Sequence, residues 1–481
     1  MTRYRIPAVA ASVLLALTGC ASVTPQDAAP PGFDVPAAWS NAEVPAAAGS
    51  SSLAQWWLRF DDPLLAHLVA QSLAANPTVK GAQAALRQAR ALRDVAAAGL
   101  LPAVGASASA QHNTVGSDNS SRNYRAALDA SWELDVFGGN QSALDASEAS
   151  ARASAATLGD VQVSLAGEVA LSYITLRGNQ ARLAIANDNL ESQLEILQIT
   201  QWRLQAGLVT SLEAEQARAG TEQTRAQLPA LQTTVDQARH ALSVLTGQPP
   251  AALSAVLAEV RPVPLPSPDL VLSIPAETLR QRPDVRAVEH QVAAAVARVA
   301  QADAARLPSF RVSGSVGLNA LTLGTLTHGA SVVTALLAGV SMPVFDGGAA
   351  VAQVRAQQAA LDEAQAAYEA VVLTALKDVE NALVALRGDR ERLLHLQNAA
   401  EAAGNAALLA RHRFSSGLVD FQVVLDTQRT QLNTQDGVAS ANADLSADHV
   451  RLYKALGGGW LPDDGEATRS PADAALRTSR S

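Results

Sequence analysis

From Tyr124 to Val136 the chain alternates between apolar and polar side chains. Tyr124, Ala126, Leu128, Ala130, Trp132, Leu134 and Val136 fall on one side, and Arg125, Ala127, Asp129, Ser131, Glu133 and Asp135 on the other. Successive residues of a strand point to opposite faces, so this pattern predicts a strand over 122–137 with one greasy and one charged face. Phe310, Val312, Gly314, Val316 and Leu318 alternate with Arg311, Ser313, Ser315, Gly317 and Asn319 and predict a second strand over 308–319. Val104, Ala106, Ala108 and Ala110 form a weaker version within 102–112, and 331–344 supplies the fourth strand. Segments of about ten residues with this dyad suit an outer-membrane barrel with a polar lumen. A sheet packed on a soluble core alternates in the same way, and the pattern alone leaves both open. Tyr124 and Trp132 share a face eight residues apart, about 26 Å along a strand, which suits the aromatic girdles of a membrane barrel. Four strands are too few to close, since about eight are needed. A membrane-spanning version of this chain must therefore oligomerise.

The remaining pattern is helical. No proline lies between Pro102 and Pro229, or between Pro343 and Pro462, so nothing interrupts a helix over 140–206 or over 349–415. Each holds 67 residues, about 100 Å at 1.5 Å per residue. A globular domain has no use for such a length. Leu183, Ile185, Leu190, Leu194, Leu197 and Leu204 follow a heptad-like spacing, which predicts helices packed side by side as coiled coils. Shorter helices are predicted over 212–247, 276–306 and 421–456.

The two sets of elements are copies of each other. Asn76-Pro77 matches Arg282-Pro283, Leu101-Pro102 matches Leu307-Pro308, Leu176-Arg177-Gly178 matches Leu386-Arg387-Gly388, and Arg203 through Gly207-Leu208-Val209 matches Arg413 through Gly417-Leu418-Val419. The offsets are 206, 206, 210 and 210. A nearly constant offset with landmarks in the same order means a duplicated unit of about 200 residues. The units run over 63–247 and 276–460, joined by a Pro-rich segment at 248–275. An arm rich in Pro, Ala and Ser precedes them at 20–62, and a polar tail expected to be disordered follows at 461–481.

Composition excludes several classes of function. The 481 residues are 48% hydrophobic but only 4% aromatic, with a formal charge of −9. That balance argues against a nucleic-acid binder, which needs a basic face. Cys20 is the only cysteine, which removes intrachain disulfides, CxxC redox chemistry and multi-cysteine zinc sites. The eight histidines show no HExxH spacing, and there is no Walker loop or GxSxG elbow. Neither an enzyme nor a cofactor or metal site is expected. Gly457-Gly458-Gly459 reads as a helix stop rather than a phosphate cradle.

Residues 1–19 carry Arg3 and Arg5, then an apolar run from Ile6 to Leu17 too short to span a bilayer. Leu17-Thr18-Gly19-Cys20 resembles the bacterial lipobox. Cys20 would then carry the acyl chains of an outer-membrane lipid anchor.

Seven stretches resemble the TolC-like outer-membrane factors of tripartite efflux systems, in particular the NodT-type lipoprotein branch. They are Trp56-Trp57, Phe60-Asp61-Asp62-Pro63-Leu64, Glu133-Leu134-Asp135-Val136-Phe137-Gly138, Arg282-Pro283-Asp284-Val285, Pro343-Val344-Phe345-Asp346-Gly347-Gly348, Val424-Leu425-Asp426-Thr427-Gln428-Arg429 and Leu452-Tyr453-Lys454-Ala455-Leu456-Gly457-Gly458-Gly459-Trp460. The resemblance implies a mostly α protein with a transmembrane β-barrel part. Three copies would form a 12-stranded barrel in the outer membrane and a helical tunnel across the periplasm. It also implies a periplasmic adaptor and an inner-membrane pump of the RND type as partners.

The turns at Gly207 and Gly417, each four residues after an arginine (Arg203, Arg413), are expected at the periplasmic tip as adaptor contacts. Asp426 and Arg429 would line a closed aperture. Gln422 stands where relatives often place a bulky apolar gate residue, and Glu213 and Gln216 are the aperture candidates of the first repeat. The function implied is passive conduction of small molecules out of the cell. A duct for type I protein secretion and a non-conducting envelope scaffold are the alternatives.

Overall fold

The structure is a computed structural model and describes residues 34–40, 53–115, 119–266 and 275–460. The leader, Cys20, most of the arm and the tail lie outside the described residues. The element order is α1 (Pro63–Ala75), α2 (Pro77–Ala98), β1 (Ala103–Val115), β2 (Asn119–Leu134), α3 (Gly139–Gln205), α4 (Ser211–Leu245), α5 (Pro275–Gln281), α6 (Pro283–Ala304), β3 (Ser309–Ala320), β4 (Val332–Ser341), α7 (Ala349–Ser415) and α8 (Phe421–Ala455). Among the described residues no helix is long and apolar enough to cross a membrane.

The chain divides into two units. One contains residues 84–155 and 287–370 and holds the sheet. Its four strands are antiparallel in the order β1-β2-β3-β4, and the register brings like faces together. Ala106 pairs with Leu128, Leu128 with Val316, and Val316 with Thr334. On the other face Ser107 pairs with Ala127, Asp129 with Ser315, and Arg311 with Glu133.

The strand ends differ from the sequence expectation for identifiable reasons. β2 stops at Leu134 rather than at 137 because Asp135 turns to serve α3: its carboxylate accepts from the amides of Asn140 (3.1 Å) and Gln141 (2.7 Å). β4 stops at Ser341 rather than at 344, since Pro343 has no N–H for the ladder. Asp346 repeats the capping role for α7, accepting from Gly348 and Ala350, both at 2.8 Å. These backbone N–H groups hold the Asp346 carboxyl below the usual carboxylate range. Each acidic residue thus satisfies orphan donors at the start of a 67-residue helix.

The second unit contains residues 33–83, 156–286 and 371–481. Its largest core joins Trp56, Phe60, Leu65, Leu68, Val169, Tyr173, Leu242, Leu257 and Tyr453. Trp56 stacks on Tyr453 at 5.4 Å between ring centroids. Asp62 caps α1 through the amides of Leu64 and Leu65 and also accepts from the Tyr173 hydroxyl at 2.7 Å. That hydroxyl in turn accepts from Arg177 at 3.0 Å. Burial, followed by the bond to Asp62, pushes Tyr173 up to about 12. Arg177 is fully buried, and its guanidinium also donates to Gln180 and to the Glu259 carbonyl.

That last bond, with buried Leu253 and Leu257, shows that the described part of the Pro-rich connector is packed on the core rather than free. Trp39, in the arm, is likewise buried against Val379, Ala382 and Leu383.

The helix expected over 276–306 is two helices, α5 and α6, divided at Arg282-Pro283. Pro283 cannot donate an i→i−4 bond and disfavours helical geometry in the residue before it. Arg282 is freed to donate to the carbonyl of Ala455 at 3.0 Å, the last residue of α8, while Asp284 clamps it at 3.0 and 2.7 Å. Just beyond, Gly457 takes φ +77°, with its N–H on Lys454 and that of Gly458 on Tyr453. A Cβ on Gly458 would meet Trp56 at 2.9 Å. The glycine triplet therefore ends the helix and lets the Trp56 ring approach.

Candidate functional site

Two regions carry the features that the sequence singles out. The first is the sheet. Its greasy face is strongly exposed in the single chain, with Val104 at 70%, Leu128 at 57% and Leu336 at 84%. The opposite face carries the ion pair Arg311–Glu133 at 3.2 Å, the looser pair Arg125–Asp129 at 3.7 Å and a Ser107 hydroxyl donating to Asp129 at 2.8 Å. β4 is the exception to the alternation, since Val333, Ala335 and Leu337 make its second face apolar too. Trp132 anchors the aromatic end by donating its indole N–H to the Leu100 carbonyl at 3.0 Å. β1 and β4 each keep one edge without a partner strand among the described residues. Open edges are not viable in a hydrocarbon layer, where every backbone polar group must be paired.

The second region is the pair of turns that end α3 and α7. Both are the same Schellman motif. Leu208 N–H reaches the Arg203 carbonyl at 2.8 Å and Gly207 N–H reaches Leu204 at 3.0 Å; in the second repeat Leu418 reaches Arg413 at 2.9 Å and Gly417 reaches Phe414 at 3.0 Å. Gly207 and Gly417 take φ +71° and +72°, a left-handed backbone that a side chain would strain. Beneath the turns Ile196, Ala217, Ala410, Phe414, Phe421, Val424 and Leu425 form a small core, while Leu208 and Leu418 at the apices are each 73% exposed.

The two arginines before these glycines do different things. Arg203 donates to the carbonyls of Phe414 (2.9 Å) and Ser415 (2.7 Å), at the C-terminus of α7, and lies over the Phe414 ring at 4.7 Å. Eight residues earlier on α3, Glu195 pairs with Arg411 at 2.8 Å. Arg413 is exposed and makes no such contact among the described residues.

The aperture candidates are brought together only in part. Asp426 accepts a hydrogen bond from Gln422 at 3.0 Å, one turn away, and forms no ion pair with Arg429. Both Asp426 and Arg429 are exposed on α8. Glu213 closes a capping box with Thr210, accepting from its backbone N–H at 2.6 Å, so its carboxylate starts α4 rather than standing free. Gln216 is half-buried one turn further on, and Glu215 pairs loosely with Arg218 at 3.7 Å. Two polar contacts escaped sequence reasoning: the Arg203 cap and the Glu195–Arg411 pair. The first left a visible signal, an arginine four residues before the turn glycine in both halves.

A duplicated helical protein with a two-faced four-stranded sheet and twin helical turns describes one class, the outer-membrane efflux channels. The family model described as outer membrane efflux protein matches residues 68–248 and 274–458. The chain belongs to this family, and so it is an outer-membrane channel protein and not an enzyme. Pyoverdine export outer membrane protein OpmQ of Pseudomonas putida is 33% identical over 467 residues, 93% of this chain and 96% of that protein. Toluene efflux pump outer membrane protein TtgF of Pseudomonas putida is 30% identical, over 93% of this chain and 95% of its own length. Among solved structures, the outer-membrane channel OprN superimposes with a TM-score of 0.84 at 37% identity, covering 90% of this chain and 99% of that one.

Proposed function

We propose that three copies of this chain assemble into the exit duct of a tripartite efflux system. Their sheets would close as twelve strands, well above the minimum for a barrel, with the charged face lining the lumen. The single observation that carries this reading is the register of the sheet, which gathers one continuous apolar face and, across β1 to β3, an opposite face of polar groups and ion pairs, while β1 and β4 each keep an edge open among the described residues.

The duct is passive. Small molecules enter from an inner-membrane pump of the RND type through a periplasmic adaptor that meets the turns at Gly207 and Gly417. The ring of Gln422, Asp426 and Arg429 narrows the tunnel near those turns, with Gln216 of the first repeat beside it. Acyl chains on Cys20 add a lipid anchor in the outer membrane. Export of toluene or of pyoverdine belongs to the relatives named above, and the shared chemistry here is that of a small solute crossing a polar lumen.

Purified protein added to a planar bilayer tests the reading. The expected result is discrete single-channel steps together with a trimeric mass by detergent-corrected light scattering. A stable, non-conducting monomer contradicts it.

A further inference from the structure

The two halves of the chain reproduce each other's contacts closely. Asn76 donates to the carbonyl of Leu245 at 2.8 Å, the last residue of α4, as Arg282 does to the carbonyl of Ala455, the last residue of α8. Asp135 and Asp346 cap the two long helices, and the two Schellman turns match bond for bond.

One set of contacts has no counterpart among the described residues. On α3, Glu195, Ile199 and Arg203 lie four residues apart and form one stripe. Glu195 pairs with Arg411, Ile199 is half-buried, and Arg203 caps the Phe414 and Ser415 carbonyls. At the repeat offset of 210 the equivalent stripe on α7 is Asn405, Leu409 and Arg413. It is exposed throughout, with Leu409 at 61%. The residues of α7 that receive α3 are Arg411, Phe414 and Ser415; their equivalents on α3 are Gln201, Leu204 and Gln205, again exposed, with Leu204 at 37%.

Helical geometry settles which way these stripes face. At 100° per residue, the stripe of Asn405, Leu409 and Arg413 lies on roughly the opposite side of α7 from Arg411, Phe414 and Ser415. Gln201, Leu204 and Gln205 likewise lie opposite the Glu195 stripe on α3. Each helix therefore presents a used face to its own chain and an unused face with the complementary chemistry pointing away.

We propose that Arg413 is an intersubunit helix cap: its guanidinium donates to the Leu204 and Gln205 carbonyls of a second copy of this chain, with Leu409 packed beside it and Asn405 bonded to Gln201. The inference rests on the oligomeric reading above and specifies its contact. It commits to a second copy because the exposed pair of stripes repeats, position by position, an interface that the chain already makes with itself. In a ring of three the set would be complete, with Arg203 capping within each subunit and Arg413 capping across each boundary. The chemistry is favourable, since the orphan carbonyls at a helix C-terminus carry the negative end of its dipole and a guanidinium offers a planar fork of donors to them.

The test is chemical cross-linking of the full-length protein in detergent with a short bismaleimide. The Gln201→Cys/Asn405→Cys chain should give products of two and three chain masses on denaturing gels. Either single substitution, Gln201→Cys or Asn405→Cys, should give none, since Cys20 acylated as read above offers no free thiol. The Glu195→Cys/Arg411→Cys chain, built on the contact seen within one subunit, should cross-link and stay at one chain mass. Adding Arg413→Ala should lower the interchain yield several-fold, and leave the intrachain control unchanged. Arg413→Lys should restore only part of it, because a single ammonium cannot reproduce the fork.

A trimer by light scattering that gives no interchain product at 201/405 overturns the contact and leaves the duct reading standing. Loss of adaptor capture in Arg413→Ala under those conditions would assign the arginine to the adaptor instead. A monomer by light scattering overturns both.

Discussion

Asn76 donates its side-chain amide to the carbonyl of Leu245 at 2.8 Å, and 206 residues later Arg282 does the same for Ala455 at 3.0 Å. One short polar residue before a proline and one arginine before a proline thus close the C-terminal ends of two equivalent helices. Their surroundings are unequal. Asn76 is bound only to backbone, whereas Arg282 neutralises Asp284 at 2.7 Å and approaches Asp378 at 3.5 Å, in a recess that also holds Asp160 and Asp448.

The first prediction follows from that inequality. Asn76→Ala should cost about 1 kcal/mol of unfolding free energy, the net worth of one hydrogen bond. Arg282→Ala should cost about 2–3 kcal/mol, because it also strands carboxylates around a shared recess. Denaturant melts of the detergent-solubilised protein compare the two, and equal losses would contradict the role given to Arg282.

Asp135→Ala should loosen the first turn of α3. Losing this cap should cost about 1 kcal/mol, and Asp135→Asn, which keeps an acceptor, should cost less. Amide exchange at residues 139–142 reports it directly, with faster exchange expected there and none at the far end of the helix. Asp346→Ala should act in the same way on the start of α7.

A pH dependence resides in Asp448. Burial, reinforced by the neighbouring Asp389 and opposed by Arg451 at 2.5 Å, raises its carboxyl to about 6. The folded state therefore binds this proton more tightly than the unfolded chain, whose aspartate titrates near 4. Its contribution to stability is full below that lower value and is lost as pH rises through about 6. Asp448→Asn mimics the protonated form. Wild type should thus lose about 2–4 °C of melting temperature relative to Asp448→Asn between pH 5 and 7.5. Burial and the nearby arginines lower His449 to about 4, so it adds stability as pH rises through about 6.5, where the unfolded imidazole loses its proton; both proteins carry this histidine, so its effect cancels in the difference between them. A constant difference between the two proteins across that range would refute this role.

Much of the architecture was legible because it depends on covalent order and periodicity. The absence of proline over more than a hundred residues dictates the long helices, the dyad of Tyr124 to Leu134 dictates β2, and the constant offset exposes the duplication. What escaped was the choice of partner. Asp135 reads as a strand residue by alternation, but its carboxylate is drawn to the free amides of the next helix. Glu213 reads as a free acid, yet it closes a capping box. Asp426 and Arg429 have the spacing of an ion pair, but Gln422 lies one turn before Asp426 on the same face and occupies its carboxylate. Spacing along a helix says which side chains can meet and not which of them win. The apolar second face of β4 was illegible for a related reason, since 331–344 carries no polar alternation and its pairing with β3 alone sets its register.

The central claim is a trimeric duct whose narrow end is held by polar contacts around Asp426. Three exposed carboxylates facing one axis repel unless they are paired, and each contact is worth little alone, but the symmetric copies act on one closed-to-open equilibrium. The most direct measurement is single-channel conductance in planar bilayers of wild type and of Asp426→Ala/Arg429→Ala, at low salt and at about 1 M salt, where screening shortens to about 3 Å. We expect small steps from wild type at low salt and larger ones from the double variant, with the gap between them narrowing at high salt. No conductance from either protein, with both trimeric and inserted, would contradict the duct itself.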